Sequence, residues 1–293
     1  MAMVNLLDYP HLAELAWHLK PGTPLEDAEA FALIERGWRH LDLDALDERE
    51  RALIERLTAS AGMESALFRR PHHQRVGQAL RTLDAQLMQD AGCYFGGDTA
   101  IALRHGEYRE SVDMDFMCSD INGFRAVRQR VTAAGFGSLF GDKWALRREA
   151  RMDQYGIRAA LDINGVVIKV EVVLEARIRF DVPGAADRLC GVASLGDEDL
   201  VASKLLANSD RWADDSVMSR DLIDLAAMVH DGHLPARALA KATGAYGDSV
   251  SRDLRKAVAH TLDREGRLRR CIDAMAVDIP EPVLRARLAA LGK

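Results

Sequence analysis

The chain has 293 residues, of which 48% are hydrophobic and 29% charged, as is usual for a globular protein with one large core or two smaller ones. No apolar run is long enough to span a membrane, the N-terminus lacks a signal-peptide pattern, and a net charge of −6 argues against a general nucleic-acid coat. The four cysteines are far apart and lack metal-ligand spacing, so we expect reduced thiols in a cytoplasmic protein.

Residues 1–91 have the apolar spacing of helices. The spacing recurs in four segments: Leu12–Leu19, Ala28–Glu35, Glu48–Leu57 and Val76–Leu87. Trp17 and Trp38 fit the packing of this helical layer. Because no residue here has a catalytic pattern, we predict an N-terminal helical region that packs on the rest of the chain.

Residues 92–182 change from helical to alternating periodicity. The first strand, Cys93–Phe95, leads into a Gly96–Gly97 turn, and we expect a short helix from Thr99. Backbone N–H groups at such a turn and at a helix N-terminus bind phosphate groups. The turn is therefore a candidate phosphate site.

Two aspartates follow in the predicted strand Val112–Met117. Because successive side chains of a strand point to opposite faces, Asp113 and Asp115 share one face and leave the other apolar. Neighbouring carboxylates repel each other unless a cation lies between them, and Mg²⁺ binds one or two carboxylates together with substrate phosphates. A phosphate turn upstream of this pair predicts metal-assisted transfer from a nucleoside triphosphate.

A helix over Ile121–Ala134 and a strand near Trp144–Arg148 precede a β-hairpin centred on Asn164-Gly165. Asn-Gly between two β-rich runs predicts a two-residue type I′ turn. That turn sets four pairs: Ile163 with Val166, Asp162 with Val167, Ala160 with Lys169, and Arg158 with Glu171. One hairpin face is then wholly apolar, and the other carries every charged residue of the hairpin. Ordinary solvent exposure is the alternative to a functional role for that charged face.

Helical periodicity returns from about Asp197. One predicted helix, Asp199–Arg211, places Lys204, Asn208 and Arg211 on a single face because they are four and three residues apart. Isolated charges on helices are usually surface residues, and their spacing alone assigns them no function.

The next predicted helix has Ser219 as its N-cap and Gly232 as its C-terminal cap. Asp221 and Asp224 lie on its polar side. Between residues 252 and 270 the chain has seven Lys or Arg against three acids. We interpret that segment as a solvated helix face rather than an RNA-binding surface.

Three blocks, in the same order along the chain, resemble one family. Gly96–Leu103 with Arg109–Phe116 resembles its first motif, Ile168–Val172 its second, and Lys204, Arg211 and Arg220-Asp221-x-x-Asp224-Leu225 its later motifs. The family is the AbiEii/AbiGii nucleotidyltransferase toxins, within the DNA polymerase β-like nucleotidyltransferase superfamily. The resemblance covers roughly residues 92–232.

The resemblance implies an α+β fold whose polymerase β-like nucleotidyltransferase core is a mixed or antiparallel sheet with flanking helices. Together with the changes of periodicity, it divides the chain into an N-terminal helical region (1–91), a nucleotidyltransferase core (92–182) and a C-terminal helical domain (183–293).

The resemblance also implies site residues. Asp113, Asp115 and Glu171 would hold two Mg²⁺ ions, and Glu171 would otherwise help to deprotonate the attacking hydroxyl. Asp162 is the alternative third carboxylate. Lys204 would neutralise charge on the leaving pyrophosphate, with Asp221 or Asp224 orienting it or contacting the acceptor. Nucleotide contacts fall to Gly96, Gly97, Asp98, Thr99, Ser111, Lys169 and Arg211.

The implied reaction is transfer of NMP from an NTP to an acceptor, which in some relatives is the 3′ end of tRNA, with a cognate antitoxin as protein partner. Asp98 departs from the family, which has Gly there. A carboxylate at this position would repel a triphosphate unless it points outward or only caps the helix. A catalytically weakened nucleotide- or RNA-binding module, and a small-molecule nucleotidyltransferase of the antibiotic-modifying kind, are the alternatives.

Overall fold

The computed structural model describes residues 3–5, 8–16, 19–20, 22–37, 45–61, 68–229 and 231–292. The chain forms two compact units, Met1–Arg69 and Arg70–Lys293. Trp17 and Trp38, predicted to pack in the N-terminal layer, lie outside the described residues. None of the helices in the described ranges combines the length and apolarity that crossing a membrane requires.

The described residues of the first unit form two strands and three α-helices: β1 (Met3–Asn5), α1 (Pro10–Ala13), β2 (Pro24–Glu26), α2 (Asp27–Gly37) and α3 (Glu48–Ala61). β1 and β2 pair antiparallel. The expectation of helices alone was wrong here, because three-residue strands are too short to show a period. The buried carboxylate of Glu50 accepts from the His11 backbone N–H at 2.7 Å and joins α1 to α3.

The second unit begins with two helices and the sheet. Its elements as far as the last strand are α4 (Pro71–Leu80), α5 (Ala85–Asp90), β3 (Cys93–Gly96), α6 (Gly97–Arg104), β4 (Met114–Cys118), α7 (Ile121–Ala134), β5 (Ala145–Met152), β6 (Gly156–Ile163), β7 (Val166–Leu174), β8 (Arg188–Leu189) and β9 (Val192–Ala193). The segment Val76–Leu87, predicted as one helix, is broken because Asp84 caps α5 by accepting from the Leu87 N–H at 3.0 Å.

Helices complete the unit: α8 (Asp197–Arg211), α9 (Arg220–Met228), α10 (Ala236–Tyr246), α11 (Ser249–Leu262), α12 (Arg267–Ala274) and α13 (Glu281–Leu291). Their apolar faces form one core with α6 and with Tyr94 of β3. Ser219 precedes α9, but its side chain does not cap the helix and instead lies 2.9 Å from the Thr261 hydroxyl. The C-cap of α9 is Val229 and not Gly232, so that prediction was wrong.

The central sheet of the described chain has the strand order β3-β4-β7-β6-β5. β4 and β7 are parallel and the other neighbouring pairs antiparallel, so the sheet is mixed, as predicted. One face is apolar and buried, with α7 packed against β4 and β7. The opposite face, called here the polar face, carries Asp115 of β4, Lys169 and Glu171 of β7, and Arg158 and Asp162 of β6.

The hairpin β6–β7 confirms the predicted register at all four pairs. Asn164 and Gly165 have φ angles of +53° and +83°, and positive φ at both central residues is what a type I′ turn requires. The predicted three-part division at residues 91/92 and 182/183 stays a prediction.

Candidate active site

The Gly96–Gly97 turn lies directly against Asp115. β3 ends at Gly96, α6 begins at Gly97, and Gly96 pairs with Asp115 across the antiparallel ladder. Gly97 has a φ of +67°, and a Cβ atom there would lie 2.5 Å from Asp115 Oδ2. Glycine is therefore required at position 97 both by its backbone conformation and by the proximity of the carboxylate. The first backbone N–H groups of α6 have no acceptor within the helix and face this site.

Thr99 holds the segment that carries Asp113. Its fully buried hydroxyl donates to the Asp113 carbonyl oxygen at 2.5 Å and lies 2.8 Å from Ser111 Oγ. Because that hydroxyl is already hydrogen-bonded within the protein, Thr99 can contact a phosphate only through its backbone N–H. Asp113 itself lies just before β4, since the strand begins at Met114 rather than at Val112 as predicted.

A buried histidine supports the same segment. The Ser111 N–H donates to His73 Nε2 at 3.2 Å, and His73 Nδ1 lies 2.8 Å from the Glu107 carboxylate. Nε2 accepts, so the proton of the neutral ring is on Nδ1 and is donated to Glu107. Sequence reasoning missed His73 and Glu107, because neither belongs to a recognisable pattern and the two are 34 residues apart.

The carboxylates of Asp113, Asp115 and Glu171 line the same cavity beside the turn. Asp115 of β4 pairs in register with Glu171 of the parallel strand β7, and Asp113 is two residues before Asp115. Burial and then the negative charges of Asp98, Glu171 and Asp113 raise the pKa of Asp115 to about 7. A site with this excess of negative charge and hard oxygen donors fits a divalent cation such as Mg²⁺.

Asp162 is at the other end of the hairpin. Its carboxylate accepts from the Gly165 N–H at 2.7 Å and lies 2.5 Å from Arg147 Nη2, so it closes the turn. Of the two candidate third carboxylates, Glu171 is the one next to Asp115.

Lys204 lies at the centre of a buried ion cluster. Its Nζ is 2.8 Å from Asp221, 2.6 Å from Asp224 and in contact with Asp98. Burial alone would lower the pKa of Lys204, but the three carboxylates raise it above its ordinary value and keep the ammonium charged. Two of the ammonium's three N–H donors are hydrogen-bonded to Asp98 and Asp221, and Asp224 is its third ion-pair partner.

Three arginines complete the cluster. Arg109 binds Asp224 through two nitrogens, at 2.7 and 2.9 Å, and Arg211 binds Asp221 in the same way at 2.6 and 2.8 Å. Asp98 is shared between Arg109 at 3.1 Å and Arg220 at 2.7 Å. Arg109 and Arg220 lie within the quoted motifs, and their charge was the signal that sequence reasoning did not use.

The carboxylate of Asp98 is therefore neutralised inside the protein. Burial opposes its ionisation, but Lys204, Arg109 and Arg220 outweigh burial and hold the pKa of Asp98 well below its ordinary value. Asp98 neither points outward nor caps α6, whose N-cap is Gly96. Oxygens of Asp98, Asp221 and Asp224 lie within 4.8 Å of one another, as in a metal site, but the Lys204 ammonium is the cation they bind.

Two cavities open on these side chains. The larger, about 560 Å³, is lined by the carboxylates of Asp98, Asp113, Asp115 and Glu171 and by Arg109, Arg211 and Arg220, among others. The smaller, about 190 Å³, is lined by Gly97, Lys204 and Arg177 among others. Asp98, Asp115 and Arg211 line both. Asp115 therefore borders both cavities.

A family model described as the nucleotidyl transferase AbiEii toxin of type IV toxin–antitoxin systems matches residues 78–290. The chain belongs to the AbiEii family. It is accordingly a nucleotidyltransferase, and the family suspected from the motifs is confirmed.

Two solved structures from Helicobacter pylori are similar to this AbiEii protein. JHP933 is 18% identical over 75% of this chain and 89% of its own, with a TM-score of 0.45. A second protein, described as a nucleotidyltransferase, is 16% identical over 73% of this chain and 92% of its own, with a TM-score of 0.36. No curated protein matches the chain.

The remaining predicted site residues lie in different surroundings. Lys169 is exposed on the polar face and does not line either cavity described above. Asn208 is buried in α8, on the helix that carries Lys204 and Arg211. Asp221 and Asp224, predicted on a polar surface, are almost completely buried because the cluster supplies their counter-charges.

Proposed function

We propose that this AbiEii protein is a Mg²⁺-dependent enzyme that transfers NMP from an NTP to RNA, with the 3′ end of tRNA as acceptor, and acts as the toxin of a toxin–antitoxin pair. Its free, buried cysteines suit the cytoplasm. The proposal rests on one observation. Asp115 lies between the Gly97 turn and Glu171 and lines both cavities, and burial together with neighbouring carboxylates opposes its ionisation.

In the proposed reaction, an acceptor hydroxyl oxygen attacks the α-phosphorus of the NTP and releases its proton to Glu171 or to solvent water. The bond from that phosphorus to the bridging oxygen breaks, and its electron pair leaves on pyrophosphate. Asp113, Asp115 and Glu171 would hold Mg²⁺, which neutralises phosphate charge and aligns the attacking and leaving oxygens. The N–H groups of Gly97 and Asp98 at the start of α6 bind the triphosphate.

The role first expected of Lys204 passes to two arginines. The Lys204 ammonium is buried and ion-paired with three carboxylates, so it holds Asp98, Asp221 and Asp224 in place. Arg211 and Arg220 line the larger cavity, and 36% and 37% of their side-chain surfaces are exposed. We infer that they neutralise charge on the leaving pyrophosphate.

The arrangement of Asp98 favours an active enzyme over a weakened binding module. The weakened module was considered because a carboxylate in the phosphate turn would repel a triphosphate. Three cations surround that carboxylate, and the cluster as a whole has four cations against three acids. The turn therefore does not present an unpaired negative charge to the substrate.

Incubation with each labelled NTP, Mg²⁺ and total RNA tests the proposal. We expect label at RNA 3′ ends, with tRNA the main product, and no transfer by Asp115→Asn. Label on a small molecule instead of RNA would support the antibiotic-type alternative. No transfer to any acceptor, or full activity of Asp115→Asn, would contradict the proposed reaction.

Two further variants separate the third-carboxylate assignments. Asp162→Asn should keep activity, because its amide oxygen can still accept from Gly165. Glu171→Gln should lose activity. If Glu171 is only a metal ligand, the glutamine that replaces it should still bind Mg²⁺ weakly through its amide oxygen, and high Mg²⁺ should restore activity. If Glu171 takes the hydroxyl proton, no Mg²⁺ concentration should restore the activity of Glu171→Gln.

A further inference from the structure

The polar face extends well beyond the three carboxylates. In register across four strands, Asp115 is followed by Glu171, Arg158 and Arg151. Neighbouring strands are about 4.8 Å apart, so this row extends about 14 Å from Asp115 to the edge strand β5. Glu171 lines the larger cavity, and the row therefore leads directly into it.

Positive charge dominates the outer part of this row. We define the basic strip as Arg148 and Arg151 of β5, Arg158 of β6 and Lys169 of β7, all of which are exposed. Arg158 is paired with Asp153 at 2.9 Å and lies 3.6 Å from Glu171. Within the described part of the chain, Arg148, Arg151 and Lys169 form no ion pair, so three of the four cations are free for an external anion.

The surroundings of the basic strip suit a chain of phosphates and bases. Ala160 pairs with both Lys169 and Arg148, so the surface between these two cations carries only a methyl group. Tyr155, in the turn that joins β5 to β6, is 62% exposed. Tyr155 is four residues after Arg151 and three before Arg158 in the chain, and exposed aromatic rings together with cations are what nucleic-acid bases and phosphates bind.

The C-terminal basic segment offers less free charge. Arg267 is buried 2.7 Å from Asp215, Arg252 and Lys256 lie 3.3 and 3.6 Å from Asp253, and Arg269 pairs with Asp273. Most cations of that segment are thus neutralised by the protein itself, as expected of a structural helix face.

We propose that the basic strip binds the phosphate backbone of the RNA acceptor and guides its 3′ end past Glu171 into the larger cavity. The inference rests on the proposed function, because it specifies where the acceptor of that reaction binds. An acidic protein surface is the competing occupant. The free cations lead to the catalytic carboxylates, where an acceptor must go, and this favours RNA.

The double variant Arg148→Gln/Arg151→Gln tests the proposal, with Arg255→Gln/Arg270→Gln as a matched control on the C-terminal helices. Both are made in wild-type and in Asp115→Asn protein, so that binding is measured without turnover. The probes are a labelled single-stranded RNA with a free 3′ hydroxyl and polyglutamate, each titrated over a range of salt concentrations.

We expect the strip variant to bind RNA more weakly at low salt, by on the order of ten- to a hundred-fold, and to reduce the salt slope by about 1.4 for two lost phosphate contacts. In the wild-type background, the KM for RNA should rise while the KM for NTP stays the same. The control variant should match the wild type in every measurement.

The outcomes distinguish the two proposals. If the wild type transfers nucleotide to RNA but the strip variant binds and reacts like the wild type, the strip is not the acceptor site and the proposed function stands. If polyglutamate binds the wild type as tightly as RNA does, and the strip variant weakens both affinities equally, the strip is a protein-binding surface. If the wild type transfers nucleotide to no acceptor, the proposed function fails, and RNA binding by Asp115→Asn protein decides the strip independently.

Discussion

Replacing Lys204 tests the central feature of the structure, a buried ammonium shared by three aspartates. Lys204→Ala removes the charge and leaves a space, whereas Lys204→Met removes the charge and fills the space. In both variants each aspartate keeps an arginine partner: Arg211 for Asp221, Arg109 for Asp224 and Arg220 for Asp98. The two variants therefore differ only in the volume left empty at the position of the Lys204 side chain.

The cost of losing Lys204 can be estimated from the geometry. The carboxylate oxygens lie within 4.8 Å of one another, and two unit charges at that separation repel by about 3.5 kcal/mol at an effective dielectric constant of 20. The arginines offset part of this repulsion. Removing one partner of a buried ion cluster usually costs about 3–5 kcal/mol, which corresponds to roughly 6–20 °C in Tm for a unit of this size.

The vacated position should then bind a metal ion. Three carboxylate oxygens around a space are a site for Ca²⁺, which accepts irregular oxygen geometry. We expect Ca²⁺ to restore part of the stability of Lys204→Ala and none of that of Lys204→Met, because the methionine side chain occupies the space.

Thermal unfolding with and without Ca²⁺ measures both effects. All variants are made in Asp115→Asn protein, which removes the expected metal site at the catalytic carboxylates. Two results would refute the reasoning. One is a loss of less than about 1 kcal/mol for Lys204→Ala, below the range for buried charges. The other is an equal rise in Tm on adding Ca²⁺ to the Lys204→Ala and Lys204→Met variants.

Three other changes test separate parts of the structure. In EDTA, Asp115→Asn should unfold at a higher temperature than the wild type, because it removes a charge that nearby carboxylates repel. Mg²⁺ should raise the Tm of the wild type but not that of Asp115→Asn, and an equal rise in both would contradict the metal assignment. Gly97→Ala should lose activity and should lower the free energy of unfolding in urea more than Gly165→Ala does. Both glycines have positive φ, but only at position 97 would the new Cβ lie 2.5 Å from another atom. Equal losses of unfolding free energy would show that this contact is unimportant. The hydrogen bond to Glu50 raises the pKa of His11 above 6.5, its value in the unfolded chain. Protonated His11 therefore stabilises the fold fully below pH 6.5, and this stabilisation is lost as pH rises through the higher pKa of the folded state. Hydrogen exchange in α3 should therefore show falling protection in that window, after correction for intrinsic exchange, and His11→Gln should abolish the fall.

The parts of the fold that were predicted correctly depend on neighbours in sequence. Asn164-Gly165 determined the hairpin register, because only a type I′ turn places both residues at positive φ without strain. The 14 residues of α7 were predicted with their true bounds, since Asp120 caps the helix and Gly135 ends it. The break between α4 and α5 was missed, because the apolar spacing of Val76, Leu80, Leu83 and Leu87 continues across it.

The partners of the charged residues were harder to predict. Asp98 was a concern in the sequence because a carboxylate in the phosphate turn would repel a triphosphate. Its nearest charges in space are Lys204, 106 residues away, and the similarly distant Arg220. No periodic pattern reports such a contact, and the burial of Asp221 and Asp224 was missed for the same reason.

The sequence by itself identified the family, through motifs that resemble it, and set the strand faces on which Asp115 and Glu171 lie. The strand faces and the hairpin register follow from local rules, since alternation and turn type act over a few residues. Only the tertiary structure decided that Lys204 is held by three aspartates, that Arg109, Arg211 and Arg220 line the larger cavity, and that, among the described residues, most cations of the C-terminal basic segment are paired whereas Arg148, Arg151 and Lys169 on the sheet are not. Charges act through space, and the packing of distant elements decides which of them are neutralised.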